Sequence, residues 1–289
     1  MMTKIKLLSV SLCLMLLAAC SNEVDFGEQY KKTVYIVNAT DYTGDHSYAA
    51  ENDAIVISIY CASSKPITKD LKARLMVDPY VLDSLNHLNE LSNSNYIKRV
   101  LLPQANYQMP DDPIVTIKAN EQYGTLNIPF NFNGLDPDKF YALPLYLSAN
   151  NENYDITENL RVILYQVNMV NDYSGSFNGR STEVPENETD RVVVKTVQPT
   201  VKALSKNTVR LPIHDANIDD TDNMMLLTIA GDGSVSITPW ENSTVTDLGG
   251  SHYNAVKMQY ELNYRYKGKV ISEIITNILA PKTDEDIYN

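Results

Sequence analysis

The sequence predicts an all-β chain in two parts, and three observations carry that prediction. Short runs rich in Val, Ile and Tyr recur along most of the chain, many alternating apolar with polar residues as a half-buried strand requires. The breaks between them carry turn pairs such as Asn-Gly, Asp-Pro and Asn-Asn. Tyrosine is in excess, 19 against 5 Phe and one Trp, and a ring ending in a hydroxyl suits sheet surfaces and wet binding faces.

Ahead of the strands, Lys4 and Lys6 precede the almost wholly apolar Leu7 to Leu17, the order of a secretory signal. A spanning helix needs about 20 apolar residues, and here Ser21, Asn22 and Glu23 follow soon after the run ends. Leu17-Ala18-Ala19-Cys20 resembles the bacterial lipobox, in which cleavage precedes an acylated cysteine. Residues 1–19 are therefore expected to be a lipoprotein signal peptide, Cys20 the lipid-attachment residue, and 20–32 a polar acylated tether. Two or three acyl chains hold a soluble domain at a membrane stably, whereas one does not.

From Thr33, strands are expected at Thr33 to Asn38, Ala54 to Ala62, Ala73 to Val77, Ile114 to Lys118, Thr125 to Phe132, Phe140 to Ser148 and Leu160 to Val167. Between them Leu82, Leu85, Leu88 and Leu91 give Tyr80 to Leu91 the stripe of a short helix. Strands at this density with a single helix predict an antiparallel β-sandwich of immunoglobulin type over residues 33–168. The second part, 169–289, opens near Asn171 to Gly179. After a polar loop at Ser181 to Asp190 it continues through Arg191 to Val197, Thr208 to Ile213, Met225 to Ile229, Ser234 to Thr238, Ala255 to Tyr266 and Lys269 to Leu279. Consecutive strands joined by tight turns such as Gly231-Asp-Gly233 close as an up-and-down barrel or form a second sandwich.

The formal net charge of −12, which loss of Lys4 and Lys6 makes more negative, argues against nucleic acid and anionic lipid heads as partners. Neutral sugars or peptides fit better. Of the three cysteines, Cys13 leaves with the signal and Cys20 carries lipid, so no disulfide is expected within the mature chain. Cys61 lies in an alternating run and reads as a buried strand residue rather than a nucleophile.

Several segments in order carry a family resemblance: Asp78-Pro-Tyr-Val-Leu-Asp-Ser-Leu-Asn86, Leu101-Leu-Pro-Gln-Ala-Asn-Tyr107, Val115-Thr-Ile-Lys-Ala119 and Leu135-Asp-Pro-Asp-Lys-Phe-Tyr-Ala-Leu-Pro-Leu145. Over residues 25 to 168 the chain resembles the N-terminal domain of Bacteroidota glycan-utilisation lipoproteins, found also ahead of the catalytic domain of surface endo-β-N-acetylglucosaminidases. Tyr173-Ser-Gly-Ser-Phe177 and Tyr260-Glu-Leu-Asn-Tyr-Arg-Tyr266 make the second part similar to the lipocalin-like domain that often follows it. The resemblance implies a protein at the outer membrane, facing the cell exterior, working beside a SusD-like protein and a TonB-dependent porin. It supplies no set of binding residues.

Catalytic signatures are absent from the sequence: no Asp-x-x-Asp-x-Asp-x-Glu string, no Gly-x-Ser-x-Gly elbow, no His-Glu-x-x-His. Asp215, Asn217 and Asp219 have the first spacing of a calcium loop, but Asp220 and Leu226 stand where that loop needs Gly and Glu, so an acidic turn is the default and a bound metal the weaker reading. No cofactor is expected. Trp240, with Glu241 and Asn242 beside it, has the chemistry of a sugar platform, which Tyr253 and Tyr173 would extend; the competing reading makes Trp240 a plug of the second core. The expectation is a non-catalytic surface lipoprotein that captures oligosaccharides for a polysaccharide-utilisation system. A structural adhesin binding protein partners and a glycosidase are the rivals.

Overall fold

The computed structural model describes residues 28, 30–187, 191–214 and 221–281. Cys20, the signal segment and the Asp215, Asn217, Asp219 triplet lie outside the described residues. The first domain consists of β1 (Thr33–Ile36), β2 (Thr40–Ser47), β3 (Asp53–Ala62), β4 (Leu71–Val77), helix α1 (Pro79–Ser92), β5 (Arg99–Leu101), β6 (Ile114–Ile117), β7 (Tyr123–Phe130), β8 (Phe140–Asn150), β9 (Asp155–Ile156) and β10 (Val162–Val170).

Two sheets form, ordered β7-β3-β1-β9 and β2-β10-β8-β4-β6, with β5 also against β8. In β3 the expected alternation holds: Ile55, Ile57, Ile59 and Cys61 are buried while Val56 faces solvent. Cys61 is a free, buried thiol, and burial pushes its pKa up, which disfavours the thiolate. The chain changes sheets between β1, antiparallel to β3, and β2, parallel to β10 over eight residue pairs. That gives the immunoglobulin-type sandwich the sequence predicts, but with mixed rather than wholly antiparallel sheets, since β1–β9 and β5–β8 are parallel as well.

Sequence patterning missed β2, Thr40-Asp-Tyr-Thr-Gly-Asp-His-Ser47, because its inward positions are Gly44 and His46 rather than aliphatic residues. A Cβ at Gly44 would sit 1.9 Å from the Tyr165 hydroxyl, so the strand carries glycine where β10 presents a buried ring. In α1, Asp78 caps the helix by accepting from the Tyr80 N–H at 3.1 Å, and Pro79 occupies the first turn. The expected leucine stripe is only half used. Leu82 is buried with Ala142 and Leu164, and Leu85 packs on them, but Leu88 and Leu91 are 60% and 73% exposed. Steps of three residues turn about 300°, so each leucine rotates further from the sheet.

The second domain contains β11 (Gly175–Pro185), β12 (Val193–Val197), β13 (Thr200–Ala203), β14 (Thr208–Pro212), β15 (Met224–Ile229), β16 (Val235–Pro239), β17 (Thr246–Asp247), β18 (His252–Asn254), β19 (Gln259–Tyr266) and β20 (Lys269–Asn277). Both β12 and β13 pair with β11, as one strand interrupted at Gln198-Pro199; β17 and β18 likewise share the flank of β19. Each strand position pairs with the next along the chain, and β20 returns to β11 from Phe177↔Asn277 to Pro185↔Lys269. The remaining seam is crossed by the Ser234↔His252 bridge and by the Val235 N–H donating to the Ser251 carbonyl at 3.0 Å. Of the two closures the sequence leaves open, the chain forms the nearly closed up-and-down barrel.

Two expectations in this domain need correction. Ser181 to Asp190 reads as a polar loop, yet β11 runs through Ser181 and Glu183 to Pro185. The polarity that suggests a loop belongs to side chains pointing into the barrel. The strand expected from Ala255 starts instead at Gln259, after a turn in which Met258 takes φ 47.

The domains are joined at Asn171 to Ser174, where the Tyr253 and Tyr260 hydroxyls donate to the Asp172 and Tyr173 carbonyls at 3.2 and 3.0 Å. A second joint is ionic. Asp138 of the sandwich accepts two hydrogen bonds from Arg210 and one from Lys202 at 2.7 Å. The Arg210 guanidinium holds the Asp138 carboxyl down at about 2, against an opposing push from burial, and Lys202 lowers it further. A depressed carboxyl contributes above its ordinary value of 3.8 and loses the contribution as pH falls toward about 2. Asp138→Asn is therefore expected to loosen the domains at neutral pH without melting either one. Small-angle scattering would read this as a larger radius of gyration at unchanged circular dichroism; an unchanged radius would refute it.

Candidate functional site

The barrel interior is divided along its length. Phe177, Tyr260, Leu262 and Ile275 fill one stretch with apolar surface, while Ser181, Glu183 and Glu273 occupy inward positions of the same strands further on. These three polar residues are at most 6% exposed. Their partner comes from the turn that follows β14: His214 Nδ1 lies 2.6 Å from Ser181 Oγ and 3.8 Å from Glu273 Oε1, and Nε2 lies 3.0 Å from Glu183 Oε2. The His214 backbone adopts φ 57, a left-handed conformation few non-glycine residues take, and its N–H donates to the Tyr264 hydroxyl at 2.9 Å. Backbone strain kept in place by distant partners is characteristic of functional positions.

Around this cluster a cavity of about 240 Å³ opens, lined by Glu183, His214, Asn223, Tyr266 and three lysines over a floor of Ile213 and Ile271. Tyr266 donates its hydroxyl to Asn223 Oδ1, which also accepts from Lys267 at 3.2 Å, and the Lys267 ammonium lies 4.8 Å from the Tyr266 ring centroid. Lys269 donates to Glu183 at 3.0 Å, with Lys195 at 3.8 Å. Burial pushes the Glu183 carboxyl up, but the Lys269 hydrogen bond and the charges of Lys195, Lys269 and His214 outweigh it and leave it below the usual range.

Serine, histidine and carboxylate in contact have the composition of a nucleophilic triad, but the surroundings do not suit that chemistry. Ser181 is wholly buried and sits between paired strands, opposite Lys195 on one side and Glu273 on the other. The ladders occupy the backbone N–H groups that would stabilise an oxyanion. Both carboxylates gather around the same imidazole instead of flanking a space where a glycosidic bond could lie. The arrangement can fix and orient a small polar ligand at the rim, with donors and acceptors beside an aromatic ring.

The five aromatic and polar residues proposed from sequence fall into two groups. Trp240 follows β16 on the outside of the barrel, half-buried, with the Arg210 guanidinium 4.9 Å from its ring centroid. One indole face is thus taken by the residue that grips Asp138. Glu241 and Asn242 are exposed beside it, Glu241 at φ 48 and Asn242 donating to Asp222 at 3.1 Å. Tyr253 is buried near the start of β16, its ring edge-on to the half-buried Tyr173 at 5.1 Å, where both help clamp the linker. The structure does not bring the two groups together. Sequence reading missed the interior cluster, whose signal was the period-two row Phe177, Gly179, Ser181, Glu183, the last two of which fall in the segment read as loop.

A sandwich clamped to a nearly closed up-and-down barrel defines a two-domain all-β protein. Two family models match it, one described as an N-terminal domain over residues 30–153 and one as a C-terminal domain over residues 161–278. Together they span most of the chain, and it belongs to the two-domain family that they describe. Among solved structures, a multidomain protein including DUF1735 from Bacteroides ovatus superposes with a TM-score of 0.62 at 18% identity, covering 89% of this chain and 99% of that one. A second Bacteroides ovatus protein, of unknown function, gives 0.61 at 18% identity over 88% and 98%. An auxiliary nutrient binding protein from Bacteroides thetaiotaomicron gives 0.48 at 14% identity over 81% and 89%. For the two Bacteroides ovatus proteins, at 18% identity, the likeness is one of fold. A comparison with curated proteins gives no match.

Proposed function

We propose that this protein is a non-catalytic lipoprotein that captures oligosaccharide at the cell surface, with the barrel rim as the capture site. The observation that carries the proposal is the cavity beside His214 and Glu183, where Tyr266 and Asn223 supply a ring and an amide next to fixed charges. At about 240 Å³ it falls below the roughly 300–1,000 Å³ of drug-sized sites, which suits one sugar residue or a chain end. Acylation at Cys20 would tether the chain to the outer membrane, facing outward. A SusD-like protein and a TonB-dependent porin would receive the glycan, with high local concentration offsetting weak single-site affinity.

The test is a glycan array followed by calorimetric titration of residues 21–289 with host N-glycans and yeast mannans. Tyr266→Ala is expected to weaken the strongest interaction about tenfold. Absence of binding across the set would reject capture, and reducing-end release during incubation would favour the glycosidase reading. One observation favours the adhesin reading: α1 exposes Tyr80, Leu88 and Leu91 together. Loss of a protein partner on Leu88→Lys with glycan binding absent would decide for it.

A further inference from the structure

We infer that the sandwich domain carries a second, independent cleft for a neutral sugar ring, between the turn joining β2 to β3 and the segment that follows β7. The cleft measures about 480 Å³ against about 240 Å³ for the barrel cavity. Its apolar wall is a packed aromatic set: Tyr48 stacks on Phe132 at 4.3 Å and 29°, and Phe130 meets Phe132 edge-on at 4.9 Å. Both Tyr48 and Phe132 are half-buried. The polar part of the lining is Glu51, Asp53, Asn131 and Asn133. Apolar ring surface beside amides and carboxylates matches a pyranose, whose C–H faces pack on aromatics while its hydroxyls both donate and accept.

The rim is held in place by buried polar side chains. Asn106, only 2% exposed, donates through Nδ2 to the Asn131 and Asn133 carbonyls at 3.0 and 2.8 Å. His46, 1% exposed, sets Nδ1 2.9 Å from Asp53 Oδ2 and Nε2 3.0 Å from the Tyr165 hydroxyl. Burial raises the Tyr165 hydroxyl to about 12, so the phenol beside the ring stays protonated and able to hydrogen-bond it. The Asp53 carboxylate is thereby aimed, and Oδ1 also accepts the Ala54 N–H at 2.8 Å. Two buried polar residues thus serve the geometry of one cleft, the pre-organisation that lowers the entropy cost of binding. Among the described residues no lysine or arginine lines it, and Glu51 and Asp53 repel anions, so the ligand is an uncharged sugar.

Maltotetraose, cellotetraose and mannotetraose, titrated into residues 21–289 and followed by calorimetry and saturation-transfer NMR, test the inference. At least one is expected to bind, Phe132→Ala and Asp53→Asn to weaken it about tenfold, and Tyr266→Ala in the barrel to leave it unchanged. Should Phe132→Ala fail to fold, the rim changes Asn133→Ala and Glu51→Gln replace it with the same expectation. No binding at millimolar sugar, wild-type binding by folded cleft variants, or loss of these sugars on Tyr266→Ala would overturn it. Capture at the barrel stands or falls separately, on whether Tyr266→Ala changes binding of any glycan.

Discussion

Gly179→Ala is expected to destabilise the barrel by on the order of 3 kcal/mol, because the added methyl has no room and the obstruction is backbone. A Cβ there would lie 2.0 Å from the Ile274 carbonyl oxygen and 2.7 Å from the Ile275 Cα. Gly179 pairs with Ile275 in the ladder by which the first strand meets the last. Side chains relieve overpacking by changing rotamer, whereas here β20 itself must withdraw from the pairing that closes the barrel. Urea unfolding monitored by tyrosine fluorescence would measure the loss. Gly231→Ala is the control, since its Cβ would meet nothing within 4 Å, and a shift no larger than that control would refute the argument.

Glu183→Gln is expected to cost on the order of 2 kcal/mol and to weaken ligand binding at the barrel rim. The carboxylate is the shared anion of Lys269 and Lys195 and lies against the His214 ring, and the neutral amide offers the two lysines no counter-charge. The sign of the pH effect follows from its depressed carboxyl. The folded protein holds this group ionised below the 4.5 at which an unfolded chain protonates it, so the contribution is present above that value and lost as pH falls beneath it. Stability measured from pH 7 down to pH 3 is expected to fall less steeply in the variant. Equal slopes would show that Glu183 is not held ionised by its neighbours.

The sandwich was legible where burial follows local periodicity. Ile55, Ile57, Ile59 and Cys61 announce β3 without reference to the rest of the chain, and Asp78-Pro79 marks the start of α1. Legibility failed where a strand owes its place to one distant neighbour. β2 has glycine and histidine at its inward positions, and Tyr165 and Asp53 make them the right residues. Trp240 was legible as a special residue but not as the layer beneath Arg210, because the Asp138 that fixes Arg210 lies 72 residues earlier in the chain.

By itself the sequence determined that the chain is all-β, where the helix falls, that Cys61 is buried and that the whole is acidic. These are local or summed properties: the period of apolar residues, the turn pairs and the charge count. Only the tertiary structure decided that the second domain closes into a barrel and that Ser181, Glu183 and Glu273 face inward. A polar side chain enters a core only where partners meet it, and His214, the partner of all three, comes from the turn after β14, 33 residues beyond Ser181. No window along the sequence contains that meeting, so Ser181 and Glu183, which read as a loop in one dimension, face the barrel interior in three, and Glu183 lines the site.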